Sequence, residues 1–210
     1  MAMDEALLEA MPRLREPVVR FYGWTEPAAS FGYFQKHSEV AGVTRLRPLV
    51  RRPTGGGLVA HDADWTYSLA FPTKHEWYAL SAVESYRRAH AWIQRAFAEL
   101  SISAELADCC RRPEPGQCFV GYEKFDVLWH GKKIAGAAQR RSKAGLLIQG
   151  SVQPPAVSIN REDWEASMKE VGVLEWKAEW LVWEPDAALR QRVGELVTKK
   201  YSQASHNEKR

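Results

Sequence analysis

Arg51-Arg52-Pro53-Thr54-Gly55-Gly56-Gly57-Leu58-Val59-Ala60-His61-Asp62 is the stretch on which the reading of this chain turns. Consecutive glycines weaken a helix or a strand. They suit a backbone that bends sharply and presents its N–H groups to something pressed against it. Two arginines put positive charge beside that loop, and an acyl, phosphate or carboxylate ligand suits such a site. The alternative is a tight turn between two strands. Upstream, Leu49-Val50-Arg51-Arg52 leads into the loop as an extended segment, so the two arginines alternate sides and one of them faces the site. Downstream, Trp65-Thr66-Tyr67-Ser68-Leu69-Ala70-Phe71 alternates bulky with small residues and stops at Pro72, the pattern of a half-buried strand.

Further out the same logic gives a coarse map. Residues 3–11 read as a short helix, Val18–Tyr22 as a strand broken at Gly23, and residues 28–34 as another strand. Ser81 and Glu84 have the spacing of a capping box. Tyr86, Ala89, Ile93, Phe97 and Leu100 then recur every three or four residues, giving a packing helix. Residues 107–118 read as a loop, 125–129 as a strand turning at His130-Gly131, and 146–152 as the next strand. The last third reads as helical, with Leu189, Val193, Leu196 and Val197 on one face. Residues 202–210 are polar and are expected to fray. Interspersed strands and helices with hairpin-like connections predict an α+β fold, with a mixed or antiparallel sheet flanked by helices.

Composition bounds the class. The chain has 210 residues, 45% hydrophobic and 26% charged, which fits one globular domain with a sizeable core. Its nine tryptophans are expected to fill that core or line an apolar pocket. No apolar run approaches a membrane span. Acids stand near the N-terminus where a secretory signal has bases, so the expected location is the cytoplasm. A net charge of +3 makes no case for nucleic acid. Between Lys124 and Lys143, however, six Lys/Arg stand against one acid, Asp126. That stretch either steers an acidic protein partner or is a solvated surface. Cys109, Cys110 and Cys118 fit a reducing compartment. Their spacing is not a usual zinc pattern, so no metal is expected. Cys109 and Cys110 are read as structural.

A second segment, Gly131-Lys132-Lys133-Ile134-Ala135-Gly136-Ala137-Ala138-Gln139-Arg140-Arg141, follows the glycine loop in the chain. Together with Arg20-Phe21-Tyr22-Gly23-Trp24, Pro27, Ser30, Gly32, Gln35 and Leu147–Val152, these motifs resemble the catalytic domain of the lipoate-protein ligase and octanoyltransferase superfamily. That resemblance covers most of the chain and implies one catalytic domain over residues 1–201, with a fold like the catalytic domains of biotin protein ligases. It implies transfer of an octanoyl or lipoyl group onto one lysine of an acceptor, either the glycine-cleavage H protein or the lipoyl domains of oxo-acid dehydrogenases. Cys118, 15 residues before Lys133, matches the nucleophile of the cysteine-dependent octanoyltransferase branch. The residue chemistry agrees. A thiol near an ammonium holds more thiolate, and a thiolate takes an acyl group from a thioester and passes it to an amine. A small buried hydrophobe is the other reading of Cys118.

The resemblance makes Lys133 the second catalytic residue, holding the acyl oxygen as negative charge develops. Lys132 is read as solvated. Arg52, Thr54, Gly55, Gly56, Gly57, Leu58, Val59, His61, Gly136 and Ala137 are the expected substrate-binding residues. His61 is either a base or a hydrogen-bonding core residue. In the transferase reading acyl carrier protein is the donor, and neither metal nor ATP is required. One alternative is a lipoate-protein ligase that uses ATP and Mg to form lipoyl-adenylate, with Arg52 and the glycine loop on its phosphate. Another is a non-catalytic acyl-binding protein.

Overall fold

The computed structural model describes residues 1–111 and 121–209. The chain opens with α1 (Ala2–Leu14), β1 (Val18–Tyr22), β2 (Ala28–Phe31), α2 (His37–Val43), β3 (Leu49–Arg51) and β4 (Val59–His61). It continues with β5 (Trp65–Pro72), α3 (Glu76–Ala79), α4 (Ala82–Glu99), β6 (Glu105–Leu106) and β7 (Val127–Trp129). Then come β8 (Lys132–Ser142), β9 (Gly145–Val152), α5 (Arg161–Trp176), α6 (Ala187–Leu196), a π-helical turn (Val197–Tyr201) and α7 (Ala204–Asn207). One six-stranded antiparallel sheet has the order β1-β5-β9-β8-β7-β6. A three-stranded mixed sheet has the order β3-β2-β4, with β3 parallel and β4 antiparallel to β2. This is the expected α+β architecture.

The alternation in β5 sorts its side chains between two layers. Trp65, Tyr67, Leu69 and Phe71 face the cluster that holds Ile93 and Phe97 of α4 and Trp164 and Met168 of α5. Ala70 packs on the other side, with α1 and α6. The strand is therefore buried along its whole length, as is β9, rather than half-buried as expected. Both strands lie inside the sheet, and both of its faces are covered. The small polar residues Thr66 and Ser68 thus face the interior and not water. α4 begins as expected: the Ser81 hydroxyl accepts from the Glu84 amide at 3.1 Å. The box is half made, since the Glu84 carboxylate turns instead to Arg87 and Arg88.

Three further expectations are corrected. Residues 202–209 are docked, not frayed. The Arg51 guanidinium donates to the carbonyls of His206, Asn207 and Lys209, and Asn207 Oδ1 accepts from the Arg51 amide at 3.0 Å. The last third is not helical throughout, because the left-handed Lys177 (φ 52°) ends α5 and an irregular stretch runs to Asp186. Cys109 and Cys110 are exposed, so packing does not explain them. Among the described residues no helix is long and apolar enough to cross a membrane.

Candidate functional site

A cleft opens where the polar face of β5 and β9 meets the small sheet. The glycine-loop region contributes Arg52, Gly56, Val59 and His61 to its wall, and β8 contributes Lys133, Gly136 and Ala137. Two segments distant in sequence thus share one cavity. They meet because β9 brings β8 to β5, which follows directly on β4 and the loop.

The other expected binding residues stand just behind this wall. Thr54 is buried and its hydroxyl donates to Gln149 Oε1 at 2.9 Å. The carbonyls of Gly55 and Gly57 both accept from Arg52 Nη2, at 2.9 and 2.7 Å. Leu58 packs with the separate cluster of Phe31, Val40 and Leu49. Of the two arginines, Arg52 lines the cleft. Arg51 points away and donates to the carbonyls of Tyr33 and Gln35 as well as to the C-terminal segment. The close fit of the loop has a backbone cause. A Cβ on Gly32 would lie 1.9 Å from the Gly56 carbonyl oxygen, so β2 and the loop touch only because that side chain is missing.

The floor of the cleft is polar and densely bonded. His61 is stacked on Trp24 at a centroid distance of 4.1 Å. Its Nδ1 lies 2.8 Å from Asp64 Oδ2 and its Nε2 2.6 Å from Ser30 Oγ. Asp64 Oδ2 also accepts from Thr66 Oγ1 at 3.0 Å and Ser151 Oγ at 2.6 Å. Next to this group, Asp4 receives Arg20 and Ser68 on one oxygen, and Tyr22 and Gln149 on the other. Burial, together with the Asp4 carboxylate, pushes the Tyr22 phenol far above its ordinary pKa, so it remains a donor.

At the β8 side, Lys133 Nζ lies 2.7 Å from Asp126 Oδ2, with the two side chains 6% and 0% exposed. Asp126 also accepts from Tyr86 OH at 2.5 Å and from the Glu123 amide at 2.7 Å. The lysine occupies space that a side chain at Gly136 would fill: a Cβ there would sit 2.6 Å from Nζ. Lys132 is exposed, as expected. The basic stretch is partly engaged within the chain. Arg140 reaches Glu5 at 3.7 Å, while Arg141 donates to the Tyr78 carbonyl and to Ser85 Oγ. Cys118 lies outside the described residues.

Sequence reasoning missed Asp64, Thr66, Gln149, Ser151 and Asp126. Their signals were present but ambiguous. Asp126 is a lone acid inside the apolar run Phe125–Trp129, and the small polar residues of β5 and β9 look like a solvent face until a second layer covers them.

Comparison with known proteins fits this arrangement. The family model described as lipoyl protein ligase A/B catalytic domain matches residues 1–154. An octanoyltransferase LipM from Halalkalibacterium halodurans is 35% identical over 165 residues, covering 72% of this chain and 60% of that protein. One from Geobacillus kaustophilus is 37% identical over 166 residues, covering 72% and 59%. The chain therefore spans about 60% of the length of these curated relatives. Among solved structures, a putative lipoate protein ligase from T. acidophilum superposes with a TM-score of 0.82 at 20% identity, covering 100% of this chain and 94% of that one. A lipoate-protein ligase A bound with ATP gives 0.79 at 20% identity, covering 99% and 93%. At that identity the likeness shows a shared fold.

Proposed function

Because this chain belongs to the lipoyl protein ligase A/B catalytic-domain family, we propose that it transfers an octanoyl or lipoyl group to a lysine of a lipoyl-accepting protein through a thioester on Cys118. The observation that carries this reading is the similarity to octanoyltransferases over 72% of the chain. A cleft that joins the glycine loop to β8 beside one sequestered ammonium supports it.

The reaction balances without a cosubstrate. The Cys118 thiolate attacks the thioester carbonyl of octanoyl-carrier protein, the carrier thiol leaves, and an acyl-enzyme forms. The neutral amine of the acceptor lysine then attacks that acyl group. An amide forms, the amine loses a proton, and the Cys118 thiolate is released. In each tetrahedral intermediate the Lys133 ammonium stabilises the developing oxyanion. Its ion pair with Asp126 holds it in place inside a largely buried site. The acceptor in this reading is a lipoyl domain or the glycine-cleavage H protein, and neither metal nor ATP takes part.

The test is intact mass spectrometry after mixing the protein with octanoyl-carrier protein in the absence of ATP. The expected result is a gain of one octanoyl group that hydroxylamine removes and that Cys118→Ala abolishes. No gain, with lipoyl-adenylate formed when ATP and lipoate are supplied, overturns the thioester reading in favour of a ligase. Acyl binding without either reaction would identify a non-catalytic acyl-binding protein.

A further inference from the structure

The polar floor of the cleft is a directed chain of hydrogen bonds, and its direction can be read from groups that only donate or only accept. Trp24 Nε1 donates to Thr66 Oγ1 at 3.1 Å, which leaves the Thr66 proton for Asp64. Arg52 Nη1 donates to Ser30 Oγ at 2.9 Å, so that oxygen accepts from the guanidinium while its own proton can go to His61 Nε2. The Asp64 carboxylate only accepts, so His61 carries its proton on Nδ1, gives it to Oδ2 and leaves Nε2 to accept from Ser30. The four side chains are nearly inaccessible, at 0% for Ser30, 4% for His61, 5% for Arg52 and 9% for Asp64. Water does not readily substitute for a member that is removed. At the far end, Arg52 Nη2 holds the carbonyls of Gly55 and Gly57.

We propose that Asp64 is a positioning residue for the acyl-binding cleft, acting through His61 and Ser30 on Arg52 and so on the shape of the glycine loop. Asp64 touches no ligand in this scheme. By accepting from His61 Nδ1 it fixes the ring tautomer, the tautomer makes Nε2 an acceptor, and Ser30 is thereby oriented to receive Arg52. If the chain is cut, Ser30 Oγ and the guanidinium are free to re-pair, and the loop loses the donor that fastens two of its carbonyls. The inference rests on the acyl-transfer reading only in assigning the cleft to an acyl chain, and it requires neither Cys118 nor turnover.

The decisive property is acceptance of a hydrogen bond, not charge. All three donors converge on Oδ2 of Asp64. The amide oxygen of Asp64→Asn can stand in that place and keep the bond from His61 Nδ1, whereas Asp64→Ala removes all three. Two measurements test this. The first is the long-range proton–nitrogen NMR spectrum of the histidine rings, with His61 assigned by its loss in His61→Gln. The expected spectrum shows the Nδ1–H tautomer in the unaltered protein and in Asp64→Asn, and loss of that fixed tautomer in Asp64→Ala. An Nε2–H tautomer in the unaltered protein overturns the proposal.

The second is calorimetric affinity for S-octanoyl-pantetheine in the Cys118→Ala background, where nothing turns over. Asp64→Ala should weaken binding by about tenfold or more and Asp64→Asn by less than about threefold. Ser30→Ala, which cuts the chain beyond His61, should weaken it as much as Asp64→Ala, and the double variant no further, as for residues in one network. Additive losses, equal losses in Asp64→Asn and Asp64→Ala, or no binding by the Cys118→Ala protein would each overturn the proposal. Failure of octanoyl-carrier protein to acylate Cys118 would instead count against the acyl-transfer reading alone.

Discussion

Lys133 owes its placement to one buried carboxylate. Asp126 is 0% exposed and shares its oxygens among the lysine, Tyr86 and the Glu123 amide. Removing one partner of such a pair strands the other without water, at a cost of about 3–5 kcal/mol. Lys133→Ala and Asp126→Ala are each expected to lose about that much in denaturant unfolding, and both should slow octanoyl transfer by ~100-fold or more. Replacing the two charges together by apolar residues, Lys133→Met with Asp126→Leu, should restore most of the stability, because two desolvation penalties vanish with the pair. It should restore no transfer. Recovery of transfer in that double variant would mean that the lysine serves only to hold the sheet together. Ser30, His61 and Asp64 differ from this pair in kind: theirs is a chain of oriented hydrogen bonds whose effect is delivered two residues away.

At the scale of elements, β8 is shaped to its lysine. Gly136 stands opposite Ser151 in the ladder, and a Cβ there would meet Lys133 at 2.5 Å from Cε and 2.6 Å from Nζ. The obstructing atoms are the end of a long side chain, so Gly136→Ala should be accommodated by displacing the ammonium and not by breaking the strand. The expected outcome is a melting temperature lowered by only a few degrees, with octanoyl transfer slowed by ~10-fold or more. A melting temperature lowered far more steeply would place the strain in the backbone instead. The contact between β2 and the glycine loop is less forgiving, since at Gly32 the obstruction is a carbonyl of the main chain. The loop is thus anchored from two sides, by backbone contact at Gly56 and by Arg52.

Across the whole molecule, the layer that fixes the site also sets its response to acid. His90 of α4 is fully buried; burial lowers its pKa to about 4, with Asp126 opposing and Lys133 reinforcing the shift. In the unfolded chain a histidine titrates near 6.5. Between those values the unfolded state binds the extra proton, so the stabilisation is complete above about pH 6.5 and is lost as pH falls toward 4, amounting to about 3 kcal/mol. Unfolding free energies measured from pH 7 to pH 4 should decline accordingly, and His90→Leu should flatten that part of the decline. An unchanged slope would place the acid sensitivity elsewhere. The C-terminal segment belongs to this scale as well. Arg51 joins β3 to residues 206–209 and to the turn at Tyr33 and Gln35, so the end of the chain braces the strand that leads into the glycine loop.

What the sequence determined by itself is local or carried by contiguous residues. The period of α4, the stop at Pro72, the Arg-Arg-Pro-Thr-Gly-Gly-Gly loop and the Lys-Ile-Ala-Gly segment are each written in neighbouring positions, and they were enough for the α+β class and the family. Strand alternation put only one of Arg51 and Arg52 at the cleft, and the family resemblance singled out Arg52. What only the tertiary structure decided depends on pairs far apart in the chain. The polar side chains of β5 and β9 became a cleft floor because a second sheet covers them. The carbonyls of the loop turned toward Arg52, and a tail of polar residues docked because Arg51 offers it a buried set of donors. Asp64, Ser30 and Asp126 gained their roles in the same way. A lone acid or hydroxyl in a sequence carries no record of its partner, and here burial of the pair by distant strands makes the partnership matter.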